Sequence, residues 1–149
     1  MATERPRLRV VFDTNVVVAA LKSRSPHSPT NELLQHWQAG EFDLLYSADL
    51  RAEYEDKFTA RAIDPLRSQA FLSRLEAFGI RVEVPNVDPV IEADPDDDIV
   101  LACAVSGIAT HLVTYDPHFL PLGEEYRGIR IVNGLNFLYL VRGDTPPQT

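Results

Sequence analysis

Short runs of β-branched and aliphatic residues alternate with helix-like segments along most of this 149-residue chain. In the segments between those runs, apolar residues recur every three or four positions, which is the spacing of one face of an α-helix. Alternation of this kind is typical of parallel strands joined by crossover helices. The chain is therefore expected to fold as a three-layer α/β/α sandwich with a central, mostly parallel sheet of four to five strands.

Residues that favour helix N-termini and turns set the expected boundaries of these elements. The predicted strands cover residues 7–12, 42–47, 80–85, 111–114 and 129–132. The predicted helices begin near Thr14, after a cap at Thr30, after Ser47, at Pro65, at Pro95 after a cap at Asp94, and after Asn133. Residues 86–93 are expected to form a connecting loop.

The length and composition of the chain fit a single domain over residues 1–149, with a core at about 8–140 and a flexible tail at 143–149. Apolar runs all fall short of the ~20 residues that a membrane span requires. The opening "MATERPRLRV" lacks the apolar segment of a secretory signal, so a cytoplasmic protein is expected. The single Cys103 lies in "IVLACAV" and is expected to be a small buried core residue.

Acidic residues are concentrated directly before one apolar run. In "EADPDDDIVLACAV", four of the five residues at 94–98 are carboxylates. Asp94 is most simply an N-cap, and the helix dipole favours acids in the first turn. Asp98 is the member of this run that we favour for function. The net charge of −8 argues against a nucleic-acid ligand unless the acids converge on a metal ion that inverts the local charge.

Other acids occur where the predicted strands end. Asp13 follows the first strand, Glu53 lies two turns into the helix after the second, and Asp116 lies two residues past Thr114. The carboxyl ends of parallel strands meet at one edge of a sheet, so these acids are expected to converge there. Carboxylate oxygens are the ligands that Mg²⁺ and Mn²⁺ prefer, and such ions can promote phosphodiester hydrolysis. Individually, each acid could instead be a cap, a turn former or a solvated surface residue.

Four segments, in this order, resemble the PIN-domain nucleases: "VVFDTNVVVAAL", "LLYSADLRAEYEDKF", "DPDDDIVLACAV" and "LVTYDPHFL". The chain is most similar to the VapC-like branch, the toxin components of toxin–antitoxin systems, and the resemblance spans about residues 8–140. It implies a metal-dependent endoribonuclease that uses Mg²⁺ or Mn²⁺. It also implies a homodimer and a cognate antitoxin protein as partner.

The resemblance also implies roles for individual residues. The four catalytic acids fall on Asp13, Glu53, Asp98 and Asp116, with Asp13, Asp98 and Asp116 as metal ligands, and Asp94 or Asp97 remains an alternative for the third acid. Supporting polar positions fall on Asn15, which would orient Asp13, and on Ser47 and Thr114. Beyond what the resemblance implies, Lys22 and Arg24 follow the first motif and Arg51 shares the Glu53 helix, so these three are candidate phosphate-binding residues; each could equally be an exposed solubilising charge.

Alternative functions remain open at this point. One is a non-catalytic or housekeeping PIN-like module that binds nucleic acid, and another is cleavage of DNA instead of RNA. A metal-dependent phosphatase of the haloacid-dehalogenase type also begins with an aspartate after its first strand. That class needs a second aspartate two positions later, where this chain has Asn15. The four histidines lack the spacing of zinc ligands.

Overall fold

The computed structural model of the protein describes residues 7–85 and 95–144, apart from the side chains of 95–98, 120 and 121. The strands within these ranges are β1 (Arg9–Phe12), β2 (Asp43–Tyr46), β3 (Ile80–Arg81), β4 (His111–Val113), β5 (Glu125–Tyr126) and β6 (Ile129–Val132). The α-helices are α1 (Thr14–Lys22), α2 (Pro29–Gln38), α3 (Ala48–Ala60), α4 (Pro65–Phe78), α5 (Pro95–Ser106) and α6 (Gly134–Arg142). A 3₁₀ helix covers Pro117–Leu122.

The strands form one sheet in the order β3-β2-β1-β4-β6-β5. All neighbours are parallel except β5, which runs antiparallel to β6. The chain moves outward from β1 to β2 and β3 on one side, and β4 then joins β1 on its other side. The β1–β4 boundary is therefore the point where the strand order reverses, and ligand sites in open α/β sheets lie outside the carboxyl ends of the strands at such a point.

Helices cover both faces of the sheet, which confirms the predicted three-layer α/β/α fold. Val10, Val11 and Phe12 of β1 are fully buried, as expected for a central strand covered on both sides. Helix α5 packs against β1, β2 and β4, whereas α1 packs against α2 and α3. None of the helices in the described ranges has the length and apolar character needed to cross a lipid bilayer.

Side-chain caps explain where several of the helices begin. Ser47 accepts a 3.1 Å hydrogen bond from Leu50 N and Asn133 accepts one of 2.8 Å from Asn136 N, as predicted for α3 and α6. The predicted cap at Thr30 is wrong. Helix α2 begins at Pro29, and Ser28 caps it by accepting a hydrogen bond from Asn31 N. Proline suits the first helical position because its missing N–H would have no partner there, and this moves the cap one residue before it.

The strands differ from prediction at the edges of the sheet. The predicted strand at 80–85 contributes only the two residues of β3, which occupies an edge. The sixth strand, β5, was not predicted. It pairs with β6 through a hairpin whose turn residues, Arg127 and Gly128, both have positive φ, at 50° and 82°. Positive φ at both positions is the geometry of a type I′ turn, for which Arg-Gly is an uncommon sequence.

Three predictions fall wholly or partly outside the described residues. They are the connecting loop at 86–93, the cap at Asp94 and most of the tail at 143–149, of which Gly143 and Asp144 are described. Gly143 ends α6 in the left-handed conformation, with a φ of 78°. The predicted start of α5 at Pro95 is confirmed.

Candidate active site

Asp13 lies at the junction of β1 and α1 and is 3% exposed. Its backbone N–H donates a 2.9 Å hydrogen bond to Val113 O of β4, so β1 and β4 remain paired up to this residue. Its carboxylate caps α1, with Oδ1 accepting a 2.7 Å hydrogen bond from Thr14 N. The cap orients this carboxylate at the carboxyl edge of the sheet, at the reversal of strand order.

Thr114 connects Asp13 to the second predicted acid of this edge. Its hydroxyl donates a 2.7 Å hydrogen bond to Asp13 Oδ2 and accepts one of 2.9 Å from Asp116 N. Thr114 is itself buried, and its backbone N–H donates to Val132 O of the next strand. One hydroxyl therefore sets the distance between the end of β1 and the segment that carries Asp116.

Asp116 is held at the start of the 3₁₀ helix by His118. Its Oδ1 accepts a 2.9 Å hydrogen bond from His118 N and lies 3.3 Å from His118 Nδ1. The Asp116 side chain is 14% exposed, so it is accessible and yet fixed. Sequence reasoning considered His118 only as a zinc ligand and missed this contact. The spacing D-x-H after a strand was the available signal, because an aspartate side chain often accepts from the N–H two residues later.

Tyr54 fixes α3 against the end of β1. Its hydroxyl donates a 2.5 Å hydrogen bond to Phe12 O, and the side chain is fully buried. Burial, followed by the proximity of Cys103 and Asp13, raises the pKa of Tyr54 well above its usual value, so the hydroxyl stays protonated and remains a donor. Glu53 precedes Tyr54 on α3; its side chain is 11% exposed and its Oε1 lies 4.0 Å from Lys57 Nζ.

Ser47 lies between α3 and α5. It is buried, it caps α3, and its hydroxyl hydrogen-bonds with the thiol of Cys103. Burial raises the pKa of Cys103 to about 12, a shift that this hydrogen bond partly offsets, so the thiol is protonated at neutral pH. Cys103 is therefore the buried core residue that its sequence context predicted. Ser47 contributes to the site by holding the start of α3.

The remaining predicted polar residues have varied environments. Asn15 and Lys22 are exposed on α1, and Arg24 is exposed in the loop that follows it. The guanidinium of Arg51 pairs with Glu76 at 2.6 Å and with Glu55 at 3.0 Å. These two carboxylates neutralise Arg51, so it is a weaker candidate for binding phosphate than Lys22 or Arg24.

The predicted third acid is not part of the geometry above. Asp94 lies outside the described residues, and the side chains of Asp97 and Asp98 are not described. Among the side chains that are, no three His, Cys, Asp or Glu residues are close enough together to hold a metal ion. The structure thus brings Asp13 and Asp116 together through Thr114, and the place of Asp98 in a metal site stays a prediction.

Most of the chain matches one known family. The family model described as "PIN domain" matches residues 9–118, a range that begins at β1 and ends just beyond Asp116. All four predicted acids lie within the matched range. A search among curated proteins found no match to the chain.

Proposed function

Because the chain belongs to the PIN-domain family, we propose that it is a metal-dependent endoribonuclease that hydrolyses RNA phosphodiester bonds. The observation that carries the proposal is the hydrogen-bonded link from Asp116 N–H through the Thr114 hydroxyl to Asp13 Oδ2. Two acids at the reversal point of a parallel sheet, held in a fixed relation by a buried hydroxyl, are suited to binding a cation and a phosphate. The link reaches Asp116 through its backbone N–H, and His118 N–H then orients the Asp116 carboxylate.

The oxygen donors present fit Mg²⁺ or Mn²⁺, which are hard cations and prefer carboxylate ligands. Asp13 and Asp116 would hold the ion with Asp98 as the third acid, and Glu53 would complete the shell. When bound, the ion would activate a water molecule and stabilise negative charge on the phosphodiester. A carboxylate as buried as Asp13, at 3% exposure, is costly to keep charged, and a bound cation would offset that cost.

The surrounding residues of this chain would pre-organise the acids before substrate binds. Thr14 N–H and the Thr114 hydroxyl hold the two oxygens of Asp13, and His118 holds Asp116. Tyr54 fixes the strand end from the other side. The acids then need little rearrangement during the reaction, which lowers its cost.

The basic side chains that would bind RNA lie outside the group of acids. Lys22 follows Asp13 by nine residues along α1, or ~13 Å at the rise of an α-helix. Lys22 and Arg24 are exposed and would contact phosphates that flank the cleaved bond. By its resemblance to VapC-like proteins, the chain would act as the toxin of a toxin–antitoxin pair. It would form a homodimer in the cytoplasm and be neutralised by a cognate antitoxin.

Cleavage assays on mixed RNA and DNA substrates test the proposal. Wild type is incubated with Mn²⁺ or with EDTA and compared with Asp13→Asn. Asp43→Asn is a matched control, because it makes the same change at the amino end of β2. The amino ends of the parallel strands lie opposite to the carboxyl ends, where Asp13 is found. We expect RNA cleavage that requires Mn²⁺, is lost in Asp13→Asn and persists in Asp43→Asn.

Other outcomes would separate the alternatives. Undiminished cleavage by Asp13→Asn would reject the assigned site. Binding of RNA without cleavage would favour the non-catalytic module, and cleavage of DNA alone would reject RNA as the substrate. Release of phosphate from small monoesters, with no cut in either polymer, would favour the phosphatase.

A further inference from the structure

A groove of about 850 Å³ opens directly beside the proposed site. Asp116 forms part of its wall, and the groove extends from there between the segment after β4, the strands β5 and β6, and the start of α6. The proposed metal site uses only the part of the groove that Asp116 lines. Apart from Thr114 and Asp116, its lining residues have no part in the proposed metal site.

The most exposed aromatic side chain of the groove is Tyr115, which immediately precedes Asp116. It is 49% exposed, whereas Phe119 on the same wall is buried. Its hydroxyl oxygen lies against the backbone of Gly134 and Leu135 at the start of α6. The ring is thus held at its far end while much of its surface is accessible.

Gly134 makes this anchoring possible. A Cβ atom at position 134 would lie 2.5 Å from the Tyr115 hydroxyl oxygen, closer than such atoms approach in proteins. Glycine at the first position of α6 therefore leaves the space that the tyrosine hydroxyl occupies. The position of the hydroxyl end of the ring therefore depends on this pair.

The charges of the groove distinguish between parts of a nucleotide. Glu124 and Glu125 line it, with Arg130 as the cation among the lining residues, so phosphate groups would be disfavoured along most of its length. A neutral nucleobase carries no such penalty. Asn136, also in the lining, could donate and accept hydrogen bonds at a base edge.

We propose that Tyr115 is a stacking platform for the nucleobase next to the phosphodiester held at Asp13 and Asp116. The inference rests on the proposed nuclease function and deepens it. It specifies a single-stranded substrate, because a base paired in a duplex cannot turn its face onto a side chain beside the scissile bond. Stacking on an exposed aromatic ring is tolerant of sequence, since every base has a π-face.

Fluorescence of 2-aminopurine tests the stacking without requiring cleavage. The probe is a single-stranded oligouridine RNA, short enough to bind in one register, with 2-aminopurine at one position. The probe position is moved along the strand in successive oligonucleotides, which are titrated with protein in Ca²⁺, an oxygen-seeking cation that can occupy the acids and hold the phosphate. Wild type should quench the fluorescence at one position, because a stacked 2-aminopurine is quenched. Tyr115→Ala should bind about 5- to 150-fold more weakly, the range for loss of one aromatic–base stack.

Two further variants separate the ring from its anchor. Tyr115→Phe keeps the ring and loses the hydroxyl, so quenching should remain and affinity should fall less than in Tyr115→Ala. Gly134→Ala displaces the hydroxyl and should reduce quenching although Tyr115 is present. Phe78→Ala is the matched control, because Phe78 is a 72% exposed aromatic residue on α4 that does not line the groove.

A substrate with an abasic site at the quenched position provides the decisive comparison, since wild type and Tyr115→Ala should bind it equally well. The stacking proposal would be overturned if Tyr115→Ala quenched the fluorescence as strongly as wild type does. It would also be overturned if wild type quenched the fluorescence at no position. Cleavage is measured separately with Mn²⁺. Quenching without cleavage would overturn the proposed nuclease function and support the stacking role of Tyr115. Cleavage with no effect of Tyr115→Ala on KM or quenching would support the nuclease function and overturn the stacking role. Melting temperatures of each variant exclude unfolding as the cause.

Discussion

Thr114 Oγ1 donates a 2.7 Å hydrogen bond to Asp13 Oδ2, joining residues that are 101 positions apart in the chain. Both side chains are buried, and the same hydroxyl accepts from Asp116 N. Beyond the backbone pairing of β1 and β4, one small polar group therefore links the two strand ends. Its removal would affect stability and the proposed site together.

Thr114→Val replaces this hydroxyl with a methyl group of similar size. Asp13 Oδ2 and Asp116 N–H would each lose a partner, which is expected to lower the free energy of unfolding by about 1–3 kcal/mol. Metal-dependent cleavage should fall as well, because Asp116 is no longer fixed relative to Asp13. Urea denaturation and cleavage rates measure the two effects. Thr114→Ser keeps the hydroxyl and should retain most of both; equal losses in the two variants would contradict this account.

Substitutions of Asp13 should separate its capping role from its charge. Asp13→Asn retains an oxygen that can accept from Thr14 N and removes a buried negative charge, so stability without metal should equal or exceed that of wild type. Asp13→Ala removes the cap and should cost about 1 kcal/mol or more. Thermal unfolding in EDTA makes the comparison. A clear fall in melting temperature for Asp13→Asn would show that the charge itself stabilises the fold.

A cluster at the end of α2 predicts a dependence of stability on pH. His36 hydrogen-bonds to Glu41 and Glu32, and Glu32 accepts from Arg142 at the end of α6. Partial burial lowers the pKa of His36, but the two carboxylates outweigh it and the net pKa is raised. The stabilisation from protonated His36 should be full below the unfolded pKa of about 6.5 and be lost as pH rises through the higher folded value.

The measurement is the difference in free energy of unfolding between wild type and His36→Gln across pH 5 to 9. This difference should shrink as pH rises above about 6.5. A difference is needed because burial lowers the pKa of His111, which costs stability in the opposite direction as pH falls. Glu41→Gln should flatten the dependence by removing one partner of His36. A difference that stays constant with pH would refute the assignment.

Backbone strain after α5 offers a stabilising substitution. Ile108 has a φ of 53° and is 79% exposed. A β-branched residue in the left-handed region costs roughly 1–2 kcal/mol, and little packing offsets it here. Ile108→Gly should raise the melting temperature by about 2–4 °C, as expected for ~1 kcal/mol in a chain of this size. Ala19→Gly, on the exposed side of α1, is the control and should lower it.

The central layers of the fold were predictable because their patterns are local. The Val-Val-Phe run of β1 and the amphipathic repeat of 65–78 predicted their elements with small boundary errors. The edge strands of the sheet were not predictable, because β3 and β5 have two residues each and their pairing depends on a neighbouring strand rather than on their own sequence. The cap at Ser28 was missed because Thr30, two residues later, is also a residue type that caps helices.

The candidate site was predictable as a set of acids at strand ends, since a parallel sheet brings those ends to one edge. The connection between them was not. The bridge that Thr114 forms between Asp13 and Asp116 depends on the register of β4 beside β1. The hydrogen bond from Tyr54 to Phe12 O depends on how α3 crosses the sheet. Both are consequences of tertiary packing over sequence separations that no local pattern reports.

The shortness of the outermost strands has a consequence for association. With two residues in each of β3 and β5, the described part of the sheet presents very little regular backbone for an approaching strand to extend. Any pairing of two copies through a continuous sheet would rest on only a few hydrogen bonds. Self-association of this chain should therefore use side chains of the outer helices, and strand-mediated aggregation of the folded protein should be slow.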